Sequence, residues 1–338
     1  MLTHGIDLHK RSLVIATLNS SGELVRRRRL PTRGPDVLHY LASLDGPHRA
    51  VVEATGGWYW IADLLAGRGV ELKLAHALKL KAVAAAKVKT DPVDALTLAQ
   101  LLRADLIPEA HMISPELRPY RDLLRTRLRL VQRRTSAKNS ISRILEKFNV
   151  SQVGQLDTLA FTQASLFEEQ IELLTRQIRD LERLLQPHLI PDEDVQRLLW
   201  IPGIGKLGAF TIVLETDGID RFPSPRHFFS YCRLVPGAAN SAGKTRHRRS
   251  KEGNRYLKAT FSHAAIRAIQ YFPEIKAFYQ TKARKKNRFI ARALVAKELA
   301  RIVYYVLKEH VDFNGTFKGV PLSKLKQPEW PRRASPDA

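Results

Sequence analysis

The first third of the chain alternates short apolar runs with amphipathic stretches. Gly5-Ile6-Asp7-Leu8, Ser12 to Leu18 and Glu23 to Leu30 read as three successive strands, with a Ser-Ser-Gly turn at 20–22 between the last two. Turns this short between strands imply an antiparallel meander. Pro35 to Leu44 then has helical periodicity, Arg49 to Ala54 is a strand, and Trp58 to Ala66 is a helix ended by Gly67 and Gly69. Val70 to Ala75 is a further strand, followed by helices over Leu78–Lys87 and Pro92–Leu102. The order βββαβαβα requires one sheet with an antiparallel half and a parallel half crossed by helices.

Beyond residue 115 the pattern changes to long helices. Pro115 to about Phe148 is an Arg-rich helix carrying Leu117, Leu124, Leu128, Val131, Ile141 and Leu145. A polar break over Asn149–Gln155 precedes a second helix through Leu185. In it Phe167, Ile171, Leu174, Ile178, Leu181 and Leu185 alternate spacings of four and three, the seam of a coiled coil. That seam serves an intramolecular hairpin, a dimerisation arm, or both. After Pro187 and Pro191 comes Ile201-Pro-Gly-Ile-Gly-Lys-Leu-Gly-Ala209, a helix-hairpin-helix pattern whose Gly-rich turn presents backbone N–H groups to a phosphate. Two more amphipathic helices span Arg255–Gln270 and Phe289–His310, and past Gly315 the chain reads as a loose basic tail. The order of elements in the first third resembles that of the ribonuclease-H-like fold, and the expected organisation is a ribonuclease-H-like metal domain over 1–114, a helical arm over 115–190, a mainly helical domain over 191–315, and a tail over 316–338.

Charge narrows the function. The 338 residues hold 56 Lys+Arg against 33 Asp+Glu, a net charge of +23, which favours a polyanion as partner. No run approaches the roughly 20 apolar residues of a spanning helix. Asp7, His9, Lys10 and Arg11 interrupt any signal peptide, so a cytoplasmic protein is expected. One cysteine, Cys232, excludes an internal disulfide framework and is read as a small core residue.

Against this excess of cations, four acids stand out. Asp7 and Glu53 interrupt apolar strands, where an unpaired carboxylate is costly. Lys89-Thr-Asp-Pro-Val-Asp-Ala95 opens a helix, with Pro92 as its first residue, Asp91 at the N-cap and Asp94 three residues on, on the same face. Singly, Asp7 and Glu53 read more simply as strand-end acids facing solvent, and Asp91 and Asp94 read equally as helix-capping acids. Together they occupy the first strand, the fourth strand and the late helix, the positions at which ribonuclease-H-like folds carry their acids. Hard oxygen ligands of this kind suit Mg²⁺ or Mn²⁺.

The basic candidates lie later. Between Lys244 and Lys258 the only acid is Glu252. Ser241 precedes Lys244, Arg246, Arg248 and Arg249, cations that lower the cost of bringing a hydroxyl against a phosphate. The plainer reading is a phosphate-gripping loop in which Ser241 is a turn residue. Gly203, Gly205 and Lys206 in the Gly-rich turn, and Lys285, Lys286 and Arg288 in the run Lys282–Arg288, are further candidate nucleic-acid contacts.

Taken together, these motifs resemble the IS-one-ten family of insertion-sequence transposases, also called DEDD transposases, and the related Piv-type invertases. The resemblance rests on Gly5-Ile6-Asp7, Glu53-Ala-Thr-Gly56, Lys89–Ala95, Ile201–Gly205, Leu234-Val-Pro236 with Ser241, and Ser250-Lys-Glu-Gly-Asn254. Where many members place Gly directly after the serine, this chain has Ala242 and then Gly243. The resemblance implies a RuvC-like domain in which Asp7, Glu53, Asp91 and Asp94 hold Mg²⁺, with Ser241 as nucleophile through a covalent 5′-phosphoserine. It adds Lys251 and Asn254 to the nucleic-acid contacts. It implies dimers or tetramers that combine the metal domain of one protomer with the serine domain of another, acting on element ends or a circular junction and a target site under a structured bridge RNA. The competing readings are a junction-resolving nuclease with metal-activated water, and a non-catalytic nucleic-acid-binding protein.

Overall fold

A computed structural model describes residues 1–83, 90–241, 244–248 and 252–325. The chain divides into two units, Met1–Pro115 and Glu116–Ala338.

The first unit is a five-stranded sheet of β1 (Leu2–Leu8), β2 (Ser12–Leu18), β3 (Leu24–Pro31), β4 (His48–Glu53) and β5 (Val70–Ala75), ordered β3-β2-β1-β4-β5. β1, β2 and β3 are antiparallel, whereas β1, β4 and β5 run parallel. The connecting helices are α1 (Gly34–Ala42), α2 (Trp58–Leu65), α3 (Ala77–Val83) and α4 (Asp91–Arg103). The mixed sheet expected from the strand order is therefore present, an arrangement consistent with the ribonuclease-H-like fold. Ile6, Leu13, Ile15, Val51 and Val52 are fully buried at its centre.

Gly5 determines how the sheet meets α4. A Cβ built there falls 2.0 Å from the Ala95 carbonyl oxygen, 2.5 Å from the Ala99 nitrogen and 2.9 Å from Leu98 Cβ. Only a bare Cα lets the α4 backbone lie this close to β1, and that approach carries Asp91 and Asp94 to the carboxyl end of the strand. Gly5→Ala is expected to cost about 1–3 kcal/mol, as overpacking does, read as a lower urea midpoint with unchanged m-value.

The second unit is mostly helical. α5 (Arg118–Lys147) and α6 (Thr158–Leu185) pack against each other, with Ile144, Ala160, Ala164 and Phe167 closing the far end of the pair. All six expected seam positions of α6 are buried or half-buried, and Glu168, Glu169, Glu172 and Arg176 beside them are exposed. α7 (Glu193–Leu199), α8 (Lys206–Thr216), α9 (Pro225–Tyr231), α10 (Arg255–Tyr271), α11 (Pro273–Lys285) and α12 (Arg288–Glu309) form the larger core around Phe228, Phe261, Leu257 and Val303. Cys232 is buried in this core, and burial pushes its thiol up.

Three features differ from the sequence expectation. A helix, α11, fills most of the stretch read as a connection, because Pro273 starts it without losing an intrahelical donor. A two-stranded hairpin, β6 (Gly237–Ser241) with β7 (Lys244–Arg248), replaces a featureless basic loop. The start of the expected tail is ordered as a small hairpin, β8 (Thr316–Phe317) with β9 (Val320–Pro321). Phe317 is 2% exposed and meets Phe278 edge-on at 5.5 Å, and Lys318 pairs with Glu298 at 2.7 Å. One aromatic anchor and one ion pair hold a segment whose composition reads as a solvated tail.

Candidate functional site

β1 ends at Leu8 and β4 at Glu53, and their parallel register pairs Ile6 with Val52. The next residue on each strand, Asp7 and Glu53, therefore sits side by side at the carboxyl edge of the sheet. Strand ends at such an edge expose backbone and side chains to a crevice, where open α/β sheets bind their ligands. α4 delivers Asp91 and Asp94 to the same place. Its N-cap is Thr90, in extended conformation, and Asp91 is the first helical residue. This corrects the expected assignment by one position: Thr90 accepts from the Val93 and Asp94 amides through its backbone carbonyl, and Asp91 caps nothing. Its carboxylate is thereby left for tertiary contacts.

Those contacts are informative. His9 Nε2 lies 3.0 Å from Asp7 Oδ2 and 3.4 Å from Asp91 Oδ1, and Arg29 Nη2 lies 2.5 Å from Asp91 Oδ2. Asp7, His9 and Asp91 each bring a ligand atom within 4.8 Å of the others. Asp7, His9, Glu53, Thr55, Asp91 and Asp94 line one cavity of about 970 Å³. Burial pushes the Asp7 carboxyl up; His9 pulls it down, and the charges of Asp91 and Asp94 raise it further. The site thus concentrates carboxylates that repel one another, with the His9 imidazole between Asp7 and Asp91 and the Arg29 guanidinium against Asp91. An oxygen-rich donor set of this kind fits a hard divalent cation. Asp7, Glu53, Asp91 and Asp94, joined by His9, are the groups able to hold one.

His9 and Arg29 escape a search for acids. Their signals are present but weak. His9 stands two residues after Asp7, on the same side of an extended chain. Arg29 belongs to a run, Arg26–Arg29, that reads as protection of an edge strand; in the fold its side chain crosses β2 to reach α4.

The other candidates lie in the second unit. Ser241 is the last residue of β6, facing Lys244 in the hairpin register, with Arg246 and Arg248 further along β7. Arg249 and Lys251, along with Lys89 of the acidic motif, lie outside the described residues. The ends of the hairpin segment are fastened together. The Asn254 amide donates to the Tyr231 carbonyl, Arg233 Nε donates to the Gly253 carbonyl at 2.7 Å, and a Cβ on Gly253 would fall 2.5 Å from the Tyr231 oxygen. Gly253 also has φ +93°, which favours glycine.

Asn254 is not a surface contact, contrary to the expectation from the motif. It is 8% exposed; its Oδ1 accepts from the Tyr256 and Leu257 amides, capping α10, and its Nδ2 donates to Glu215 Oε2 at 2.7 Å. Glu215, 2% exposed, is clamped on both oxygens by Arg125 of α5 at 2.5 and 2.6 Å. One buried carboxylate therefore ties the arm, α8 and the root of the serine hairpin. Glu215→Ala strands the half-buried Arg125 guanidinium and removes the acceptor of the buried Asn254 amide, and is expected to cost about 3 kcal/mol, seen as a melting temperature lower by on the order of 10 °C.

The Gly-rich turn joins α7 to α8. Gly203 has φ +79°, and a Cβ there would fall 2.1 Å from the Ala264 oxygen, so this glycine serves close packing on α10. Gly205 is exposed and is the N-cap of α8. The turn opens onto a cavity of about 220 Å³ that Arg127, Tyr256, His263 and Arg267 also line. Partial burial, and then the charges of Arg127 and Arg292, hold the His263 imidazole below its ordinary value, and Arg125, Arg127 and Arg267 give the cleft a cationic lining. Lys285, Lys286 and Arg288 are exposed around the junction of α11 and α12.

A mixed sheet ending in clustered acids, followed along the chain by a basic helical unit with a Gly-rich turn, suits a nucleic-acid-processing enzyme. Comparison with known proteins makes this specific. The DEDD-type IS110 transposase family matches residues 4–150, and the transposase IS116/IS110/IS902 family matches residues 195–280. The chain is 26% identical over 334 residues to a transposase for insertion sequence element IS1328 of Yersinia enterocolitica, covering 92% of this chain and 98% of that protein. It is 27% identical over 292 residues to a probable family 20 transposase of Pseudomonas aeruginosa, covering 79% and 83% respectively. A transposase for element IS1111A of Coxiella burnetii is 26% identical over 315 residues, covering 86% and 85%. The chain belongs to the IS110/IS116 family of transposases, and it is an enzyme that cleaves and rejoins DNA. A DEDD-type domain suggests a divalent metal, in keeping with the cluster of Asp7, His9 and Asp91. Among the described residues no helix is long and apolar enough to cross a membrane.

Proposed function

We propose that this transposase excises and integrates its own insertion sequence by serine attack on DNA phosphates, assisted by Mg²⁺ or Mn²⁺ held by Asp7, Glu53, Asp91 and Asp94. The observation that carries the proposal is the convergence of all four acids on one cavity at the carboxyl edge of the sheet. A bound divalent cation supplies charge that polarises the scissile phosphate and stabilises the departing oxygen.

The chain's own residues account for the remaining roles. Ser241 Oγ attacks phosphorus; the Oγ–P bond forms, the P–O3′ bond breaks, and the hydroxyl proton passes by way of solvent to the departing O3′. The products are a 5′-phosphoserine and a free 3′-hydroxyl. Attack by another strand's 3′-hydroxyl reverses the step and reseals the backbone, because the covalent ester conserves the energy of the broken bond. Lys244, Arg246 and Arg248, paired across the hairpin from the serine strand, are suited to neutralise the phosphate. Arg29 and His9 hold Asp91 and Asp7 in place. The exposed turn at Gly205 and the Arg127–Arg267 cleft supply backbone-phosphate contacts that fix register rather than sequence. The net charge of +23 supports a second polyanion, a structured guide RNA, and the α5–α6 arm offers a coiled-coil surface for dimers or tetramers. The protein acts in the bacterial cytoplasm, on the nucleoid.

The experiment that tests this reading uses a plasmid carrying the element ends. Joined circular junctions with no loss of nucleotides support serine exchange; free 5′-phosphate and 3′-hydroxyl ends, with no protein attached, would assign a nuclease that activates water.

A further inference from the structure

α5 carries a charge pattern that neither the acid site nor the serine hairpin uses. Between residues 118 and 147 it has ten Lys/Arg and two acids, Asp122 and Glu146. Arg125 and Arg127 face inward to Glu215 and Glu182. Opposite Arg127, and continuing the line of Arg125 from one turn further on, Arg129, Arg133, Ser136, Ser140, Arg143 and Lys147 recur at spacings of four and three, which aligns them in one straight stripe. All but the half-buried Ser140 are exposed. None of the four cations pairs with a carboxylate among the described residues; Arg129 donates to the Tyr256 hydroxyl at 3.0 Å and Lys147 sits over the Phe148 ring. Asp122 lies two turns before the stripe and Glu146 about 100° round the helix from Lys147.

A helix face that merely meets water mixes its charges, as α6 does with Glu168, Glu169 and Glu172 followed by Arg176, Arg179 and Arg183. The α5 stripe instead sets like charges at i,i+4 at both ends, Arg129 with Arg133 and Arg143 with Lys147, an arrangement that weakens an isolated helix. A polyanion relieves that repulsion.

We infer that this face of α5 is a docking surface for the backbone of a DNA duplex. The stripe runs about 27 Å, and its two cationic ends are separated by about 15 Å from Arg133 to Arg143. The residues between them are small and neutral. A B-DNA major groove about 12 Å wide has phosphates on both walls and admits an α-helix, so a helix laid across it meets phosphate at each end and a groove in the middle. The major groove of A-form RNA is too narrow and deep for such an approach. The surface holds DNA without reading its sequence, and it is independent of the serine and metal chemistry proposed above.

The test measures binding of the full-length protein to a duplex of arbitrary sequence across a series of salt concentrations. R133Q/R143Q/K147Q, all exposed and leaving the Arg129–Tyr256 contact intact, is compared with R176Q/R179Q/R183Q on α6. Circular dichroism confirms that both are folded. The first variant is expected to lower the log–log salt slope by about 3 and to weaken binding at 0.15 M salt by on the order of 100-fold, with far smaller changes in the second. Unchanged slope and affinity in the first variant, or equal losses in both, would make the stripe an ordinary solvated face. Loss confined to a double-stranded RNA of equal length would overturn the assignment to DNA.

Discussion

Asp7→Asn is expected to reduce DNA strand cleavage by about 10³-fold or more while leaving duplex binding nearly unchanged. The substitution keeps the shape and removes one anionic ligand from a site whose donors converge within 4.8 Å. A metal contribution of several kcal/mol to the displaced oxygen corresponds to that factor. A second readout separates this role from a structural one. In the metal-free protein burial raises the Asp7 carboxyl above its ordinary range. A carboxyl raised in the fold favours the protonated folded state, so its contribution is lost as pH rises through the raised value, and ionised Asp7 weighs against folding at neutral pH. Mg²⁺ that binds only the folded protein offsets this and raises the melting temperature by mass action. Wild type is expected to show that Mg²⁺-dependent rise and Asp7→Asn to show little of it. Equal rises in both, with cleavage retained, would remove Asp7 from the metal site.

Ser241→Ala is expected to abolish recombination outright, by about 10⁵-fold or more, as loss of a nucleophile does when no other group can replace it. Mg²⁺ stabilisation should survive in this variant, because the acids belong to Met1–Pro115 and the serine to the other unit. Loss of exchange with retained metal response is the pattern of a missing nucleophile. Loss of both would mean that the protein had been damaged more widely.

Much of the first unit is legible in the sequence because its strands are short, apolar and punctuated by turns. The acids are legible for a related reason: Asp7 and Glu53 break apolar runs, and Asp91-Pro92 opens a helix. What stays hidden depends on contacts distant in sequence. Gly5 looks like ordinary strand punctuation until α4 is laid against it. Arg29 reads as an edge charge until the twist of the sheet brings it to Asp91. Asn254 has the polarity of a phosphate ligand, but its position immediately before a helix makes it a cap, and Glu215, 39 residues away, takes up its remaining donor. The segment around Thr316–Pro321 has the composition of a tail, and a single buried Phe317 overrides it. Local pattern identified the groups with unusual chemistry, whereas the residues that position them emerged only from packing.

The serine assignment is the central claim, and trapping the protein on DNA tests it most directly. A duplex carrying an element end, labelled on the 3′ side of the scissile phosphate and nicked a few nucleotides upstream so that the short fragment bearing the 3′-hydroxyl is lost and rejoining is blocked, is incubated with protein and Mg²⁺, denatured, and digested with protease. The account predicts a labelled adduct that survives denaturation, maps to the peptide containing Ser241 and disappears in Ser241→Ala. Free 5′-phosphate ends from wild type, with cleavage undiminished in Ser241→Ala, would contradict it.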